Sequence, residues 1–301
     1  MTPVLGELAH EAHVALIRLR SLGDCVLATP AVALLKAARP DLKIGVVVDE
    51  RWAAVYESNP NIDAILPLTV HAVRGWRPAL VLNLHGGATS ARLTALSGAR
   101  WRAAWTHFRH QYLYNIHIPT AQEILGVQRT VHTAEHAASA ILALGVTIQP
   151  IPRAQLFAEP ARARKPYALI HPVASEPAKT WAPERFCAVA DFCRNEANLE
   201  PVFLGAPADD LSAFREYTIA QGQSLQETKR LAAGASLFIG NDSGPAHLAA
   251  AFGVPCTVLF GPSNPAIWGP WRTEATVLQA LPMSEITVNQ VLNAIPVGAR
   301  A

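Results

Sequence analysis

The amino-acid sequence predicts an α/β protein of two domains, each built on a parallel sheet. Three observations predict it. Strand-length apolar runs alternate with helix-like segments through both halves of the chain, the pattern of right-handed βαβ units. Residues 147–166, with four prolines and no sustained periodicity, separate one series from the next. Polar, glycine-bearing loops follow several of the apolar runs, where parallel sheets hold ligands. The expected domains are 1–155 and 156–301. Neither half repeats at a fixed short period, which excludes a solenoid.

In the first half, HVALIRLR (13–20) reads as a strand, SLGD as a tight loop, and CVLATPAVALLKAARP as a helix that must end by Pro40. KIGVVVD (43–49) is a second strand. AVYESNPNIDAILPL supplies a short helix, a turn and a third, edge-like run. PALVLNLHG (78–86) is a fourth strand with a Gly-Gly turn behind it. TVHTAEHAASAILALGV (130–146) is an amphipathic helix stopped by Gly145.

Beyond the proline-rich stretch the alternation restarts. YALIHPVA (167–174) is a strand, and APERFCAVADFCRN is a helix with Pro183 in its first turn, where a missing N–H does no harm. PVFLGAP (201–207) is a strand. SLQETKRLAAGA is a helix opening on a capping box of Ser224 and Glu227. SLFIGND and CTVLFGPS are two further strands flanking an Ala-rich helix.

Bulk properties narrow the class. A chain of 301 residues, half of them hydrophobic and only 16% charged, is globular and long enough for two cores. No run reaches the roughly 18 apolar residues of a membrane-spanning helix. MTPVLGELAHEAH lacks the basic start and apolar core of a secretory signal, so a cytoplasmic location is expected. The four cysteines sit in apolar runs without Cys-x-x-Cys spacing and read as buried free thiols. A net charge of +2 argues against a nucleic-acid partner.

The charge is uneven, however. From Ala64 to Gln122 there is no Asp or Glu, while six arginines, five histidines and six large aromatics are interleaved. Guanidinium groups suit an anionic partner. They serve equally as solvated cover for apolar surface.

The loops after the strands offer Ser21, Gly23 and Asp24; His85; Ser175 and Lys179; Gly205 to Asp210; Asn241 to Gly244 with His247; and Gly261 to Asn264. Most belong to the second half, which is therefore expected to hold the ligand. Asp242-Ser243-Gly244 stands where a strand hands over to a helix, and N–H groups at a helix start favour phosphate. A plain cap needs one such residue, and NDSGPAH offers several. Gly261-Pro262-Ser263 repeats the device one strand later. Asp24, at the start of a helix, is either a general base or an N-cap; spacing alone does not choose. RLRSLGDCVLATPA has no Gly-x-Gly-x-x-Gly, which argues against an NAD site. His132 and His136, four residues apart, lack a third metal ligand, and HGGATS lacks the lysine of a phosphate loop.

LIRLRSLGDCVLATPAV, HPVASEPAKTWAPERF and FIGNDSGPAHLAAAFGVPCTVLFGPSNP, in that order, resemble glycosyltransferase family 9, the heptosyltransferases of lipopolysaccharide core assembly. The resemblance implies a GT-B fold of two facing Rossmann-like domains, the first for the acceptor and the second for the nucleotide-sugar donor. It also implies inverting transfer with no catalytic metal and no cofactor beyond the donor, which would be ADP-linked. Carried over residue by residue, Asp24 is the catalytic base and Lys179 the phosphate-binding lysine. Arg18, Ser175, Thr180, Asp209, Asp242, Ser243, Gly244, His247, Gly261, Pro262 and Ser263 would serve the donor. Ser21, Gly23, Arg92 and Arg100 would serve an anionic glycolipid acceptor. Here KTWAPERF carries Ala182 between Trp and Pro, a departure from the family motif. A lipid acceptor would bring the protein to the inner face of the inner membrane as a peripheral visitor. The alternatives are a GT-B nucleotide-sugar epimerase and a non-catalytic nucleotide-sugar binder.

Overall fold

Among the described residues, 3–295 of the computed structural model, two six-stranded sheets form, each with every neighbouring pair parallel. The first consists of β1 (His13–Ile17), β2 (Lys43–Val47), β3 (Ala64–Leu66), β4 (Leu80–Asn83), β5 (Trp101–Trp105) and β6 (Ile116–Ile118), in the order β3-β2-β1-β4-β5-β6. The second consists of β7 (Tyr167–His171), β8 (Glu200–Gly205), β9 (Thr218–Gln221), β10 (Leu237–Asn241), β11 (Cys256–Phe260) and β12 (Ala275–Gln279), in the order β12-β11-β10-β7-β8-β9. The chain divides into two compact units, Met1–Phe157 and Ala158–Ala301, with one sheet in each.

The central strands read as unbroken apolar runs because helices cover both faces of a parallel sheet. β4, β10 and β11 are buried at every position. Strand order reverses between β1 and β4 in the first sheet and between β10 and β7 in the second. At such a point the loops leaving two adjacent strands diverge to opposite faces and open a crevice at the carboxyl edge. Each Rossmann-like sheet thus has one such place at its own carboxyl edge.

Several elements differ from their sequence reading. The segment read as one helix from Cys25 is two, Leu22–Leu27 and Thr29–Ala38, broken at Ala28 just before Pro30. The first starts earlier than expected because Ser21 and Asp24 close a cap around what was read as a loop. Ser224 caps Leu225–Gly234 by accepting from the Glu227 N–H at 3.1 Å. The proline-rich stretch is no free tether. Ile151, Ala154 and Leu156 are buried, and the Gln155 N–H donates to Thr29 Oγ1 at 2.9 Å.

Candidate active site

In the first unit β1 runs out into Arg18. Its Nη1 donates to the Leu84 carbonyl at the end of β4 at 2.6 Å, and its Nη2 pairs with the Asp24 carboxylate. Arg18 therefore spans the β1–β4 switch point. The other carboxylate oxygen of Asp24 accepts from the Ser21 N–H at 3.1 Å and the Ser21 hydroxyl at 3.0 Å. Three of the carboxylate's four or so lone-pair directions are thereby used, and its side chain is only 16% exposed. The two readings left open for Asp24 coincide: it closes the helix start, as a residue in the first turn can, and still sits at the ligand edge.

Beside this pair, Asn83 fixes the turn after β4. Its Oδ1 accepts from the N–H groups of His85 and Gly86 at 3.0 and 3.2 Å, and its Nδ2 donates to Tyr114 Oη at 2.9 Å. Burial, then the nearby Arg18 and Arg20 charges, lower the His85 pKa from its usual value, which favours the neutral ring.

In the second unit a single carboxyl edge gathers the expected residues from four neighbouring strands. Lys179, in the turn Pro177–Lys179, lies 3.8 Å from Asp242 Oδ2 and 3.7 Å from Glu176. Burial raises the Asp242 pKa, opposed by a hydrogen bond with Ser263 and by the Lys179 charge. His171, the last residue of β7, shares a hydrogen bond between Nδ1 and Ser243 Oγ at 2.9 Å. Burial pulls its pKa down to about 4, with Asp209 opposing. Gly244 opens the nine-residue helix Gly244–Phe252, so its free N–H groups start at this edge.

The scaffold beneath is specific. Asn241 is fully buried; its Nδ2 donates to the Pro172 carbonyl at 2.7 Å and its Oδ1 accepts from the Trp181 N–H at 3.3 Å. One amide thus braces both ends of the segment that carries Ser175 and Lys179. Gln279 Nε2 donates to the carbonyls of Gly261 and Ser263 at 3.2 and 2.9 Å, fixing the loop after β11.

The remaining expected residues divide. Ser175 is exposed and the Thr180 hydroxyl donates to the Glu176 carbonyl at 3.1 Å. Asp209 uses its carboxylate locally, accepting from the Ala206 N–H at 2.6 Å, while Asp210 accepts from Ser212. His247 is buried within its helix. Arg18, assigned to the donor, lies in the first unit and pairs with Asp24. Arg100 precedes the first residue of β5 and stacks over Trp101 at 4.6 Å, so it occupies the amino edge, a strand's length from Asp24. That placement does not bring it to the loops at the carboxyl edge. Arg92 projects from the exposed side of Ala88–Leu96. His132 caps Thr133–Ala143 with its ring nitrogen, and His136 stacks on Trp105 at 4.1 Å. Among the described residues no group of three or more His, Cys, Asp and Glu is placed to hold a metal ion.

Two Rossmann-like sheets with polar switch-point loops, one edge carrying Lys179, Asp242 and the start of Gly244–Phe252, have the architecture of the GT-B class. The family model for glycosyltransferase family 9 (heptosyltransferase) matches residues 70–291, and the chain belongs to that family. It is a glycosyltransferase. Lipopolysaccharide heptosyltransferase 3 of Escherichia coli (strain K12) is 26% identical over 292 residues, covering 84% of this chain and 83% of that protein. The structure of the glycosyl transferase family 9 from Veillonella parvula superposes with a TM-score of 0.83 at 24% identity, over 95% of this chain and 96% of that one. E. coli ADP-heptose lps heptosyltransferase II gives 0.79 at 20% identity, over 95% and 98%.

Proposed function

We propose that the protein transfers a heptose from ADP-heptose to an anionic glycolipid of the lipopolysaccharide core, with inversion at the anomeric carbon. The observation that carries this reading is the Lys179–Asp242–Ser263 cluster beside the start of Gly244–Phe252. It pairs a cation and backbone N–H groups, which suit a diphosphate, with a carboxylate, which suits sugar hydroxyls. The names of relatives with this fold, an ADP-heptose lps heptosyltransferase among them, support the choice of donor and acceptor.

In the proposed step Asp24 takes the proton of an acceptor hydroxyl. The oxygen attacks the anomeric carbon from the face opposite ADP, and the bond to the diphosphate oxygen breaks with its electron pair. Charge builds on the leaving diphosphate, where Lys179 and the N–H groups near Gly244 and Gly261 stabilise it. Arg18 holds Asp24 at the edge and keeps the carboxylate oriented. The donor acts as substrate, and the diphosphate's charge is met by protein groups and not by a metal ion. Contact with the membrane surface follows from the lipid acceptor.

Calorimetric titration with ADP, UDP and GDP tests the donor half. ADP is expected to bind in preference to the others, and a preference for UDP or GDP removes the heptose assignment. Mass spectrometry of lipid A bearing its inner acidic sugars, incubated with ADP-heptose, tests the acceptor half: a heptose added only when acceptor is present is the expected result. A chelator should leave that transfer intact.

A further inference from the structure

Four rings gather at the carboxyl edge of the first sheet. β5 ends in Trp105, which is fully buried with its indole N–H unpartnered. His136 stacks on it with ring centroids 4.1 Å apart and planes at 29°. His107, exposed, stands 5.8 Å from His136 and meets Phe108 edge-on at 4.9 Å. The Phe108 ring in turn lies against Gly86, where a Cβ would come within 2.7 Å of it and where φ is +79°. Only glycine allows both that backbone and that approach.

The rings therefore run from the buried core out to solvent, ending in His107. That residue has ring contacts and no hydrogen bond to the described residues. They stand beside the Arg18–Asp24 pair, since β4 neighbours β1, Phe108 lies against Gly86 in the turn after β4, and Arg18 donates to the Leu84 carbonyl at the start of that turn. An aromatic surface beside a hydrogen-bonding ion pair matches one ligand chemistry well. A sugar ring offers a C–H face for the rings and a hydroxyl edge for the charged groups.

We propose that His107 and Phe108 are the platform on which the acceptor sugar stacks, with its reacting hydroxyl turned toward Asp24. This rests on the glycosyl-transfer reading above and names the acceptor subsite within it. The anionic groups of the acceptor then lie outward of the platform, and the platform itself reads the sugar by its apolar face.

The test compares His107→Ala and His107→Phe with wild type. The probe is lipid A bearing its inner acidic sugars, de-acylated to keep it soluble. His107→Ala should raise the acceptor KM about 3- to 10-fold, the worth of one stacked ring, and leave ADP affinity unchanged. His107→Phe, which keeps a ring and loses the nitrogens, should return KM to within about twofold of wild type. An unchanged KM in His107→Ala overturns the platform, and failure of His107→Phe to restore it replaces stacking by a hydrogen bond. Saturation-transfer NMR on the same glycan, irradiating the aromatic protons, decides the matter without turnover. Transfer to the glycan C–H protons should occur in wild type and fall in His107→Ala; its absence in wild type overturns the platform. ADP titration of the wild type separately reports whether the donor reading itself fails.

Discussion

The carbonyl oxygen of Ala178 lies 2.6 Å from where a Cβ on Gly261 would stand. At this point the loop after β11 meets the turn carrying Lys179 backbone to backbone, with no room for a side chain on Gly261. Gly261→Ala must push the turn away, and Lys179 moves with it. Donor affinity should fall by about tenfold or more, because a displacement of about an ångström is enough to lose a charge-assisted phosphate contact. Unfolding should still be cooperative, at a stability lowered by about 1–3 kcal/mol. Unchanged ADP affinity in a calorimetric titration would place the turn outside the donor site.

A second expectation concerns Asp24 and the guanidinium that holds it. Asp24→Asn keeps the shape of the cap and removes the capacity to take a proton, so kcat should fall by about 10²–10⁴. Arg18→Lys retains a positive charge, yet a single ammonium cannot reproduce the fork that meets both Asp24 and Leu84 O. It should lower kcat by about tenfold or more while ADP affinity stays within about threefold. Wild-type turnover in Asp24→Asn would remove this carboxylate from proton transfer.

Much of this arrangement is legible in the sequence, and the exceptions have physical causes. The buried strands β1, β2, β4, β7, β8, β10 and β11 announce themselves as apolar runs, because both their faces are covered. Trp101–Trp105 does not: Arg102, Ala103 and Ala104 carry little β propensity, and the strand exists because β4 and β6 pair with it. Thr218–Gln221 and Ile116–Ile118 are short edge strands with exposed positions, a common way of blunting a sheet edge. Ser21 and Asp24 carried a capping signal three residues apart that was masked by the glycine between them. Asn241 is legible only as a polar residue at a strand's end; its bracing role is not, since its partners Pro172 and Trp181 lie about 60 to 70 residues away in sequence. Arg100 shows the converse: charge in a sequence does not say which edge of the sheet a residue will occupy.

Lys179 and Asn241 affect the same turn by different means, and a paired comparison separates them. Lys179→Ala removes a partly buried charge, its side chain 23% exposed, and should weaken donor binding by about 10- to 100-fold, with little change in stability. Asn241→Ala leaves the Pro172 carbonyl and the Trp181 N–H buried without their partner. It should destabilise the fold by about 1–3 kcal/mol for each group left unsatisfied, and weaken donor binding because the turn loses its brace. ADP titration and urea unfolding on both variants check this. Equal stability losses in the two would remove the distinction.

The histidines predict how stability depends on pH. His136 is pulled down to about 4, by burial first and then by the charges of His107 and Arg18, and His171 to about 4 by burial. Both titrate from 6.5 when unfolded. Between those values the unfolded chain binds a proton that the folded chain refuses, so stability rises with pH there. On acidification it should fall from about pH 6.5 and level off below about 4, by about 1–2 kcal/mol per histidine near pH 5. Carboxylates such as Glu135, held low by Arg129, lose their contribution at lower pH still. Glutamine in place of both histidines cannot take the proton. The double variant His136→Gln, His171→Gln starts less stable, having lost the stack on Trp105, but its stability should change less between pH 7 and pH 5, a range that spans the upper part of the window. Urea unfolding at those two pH values checks the slope and not the level. Parallel slopes in wild type and variant would mean that both imidazoles accept protons in the folded protein.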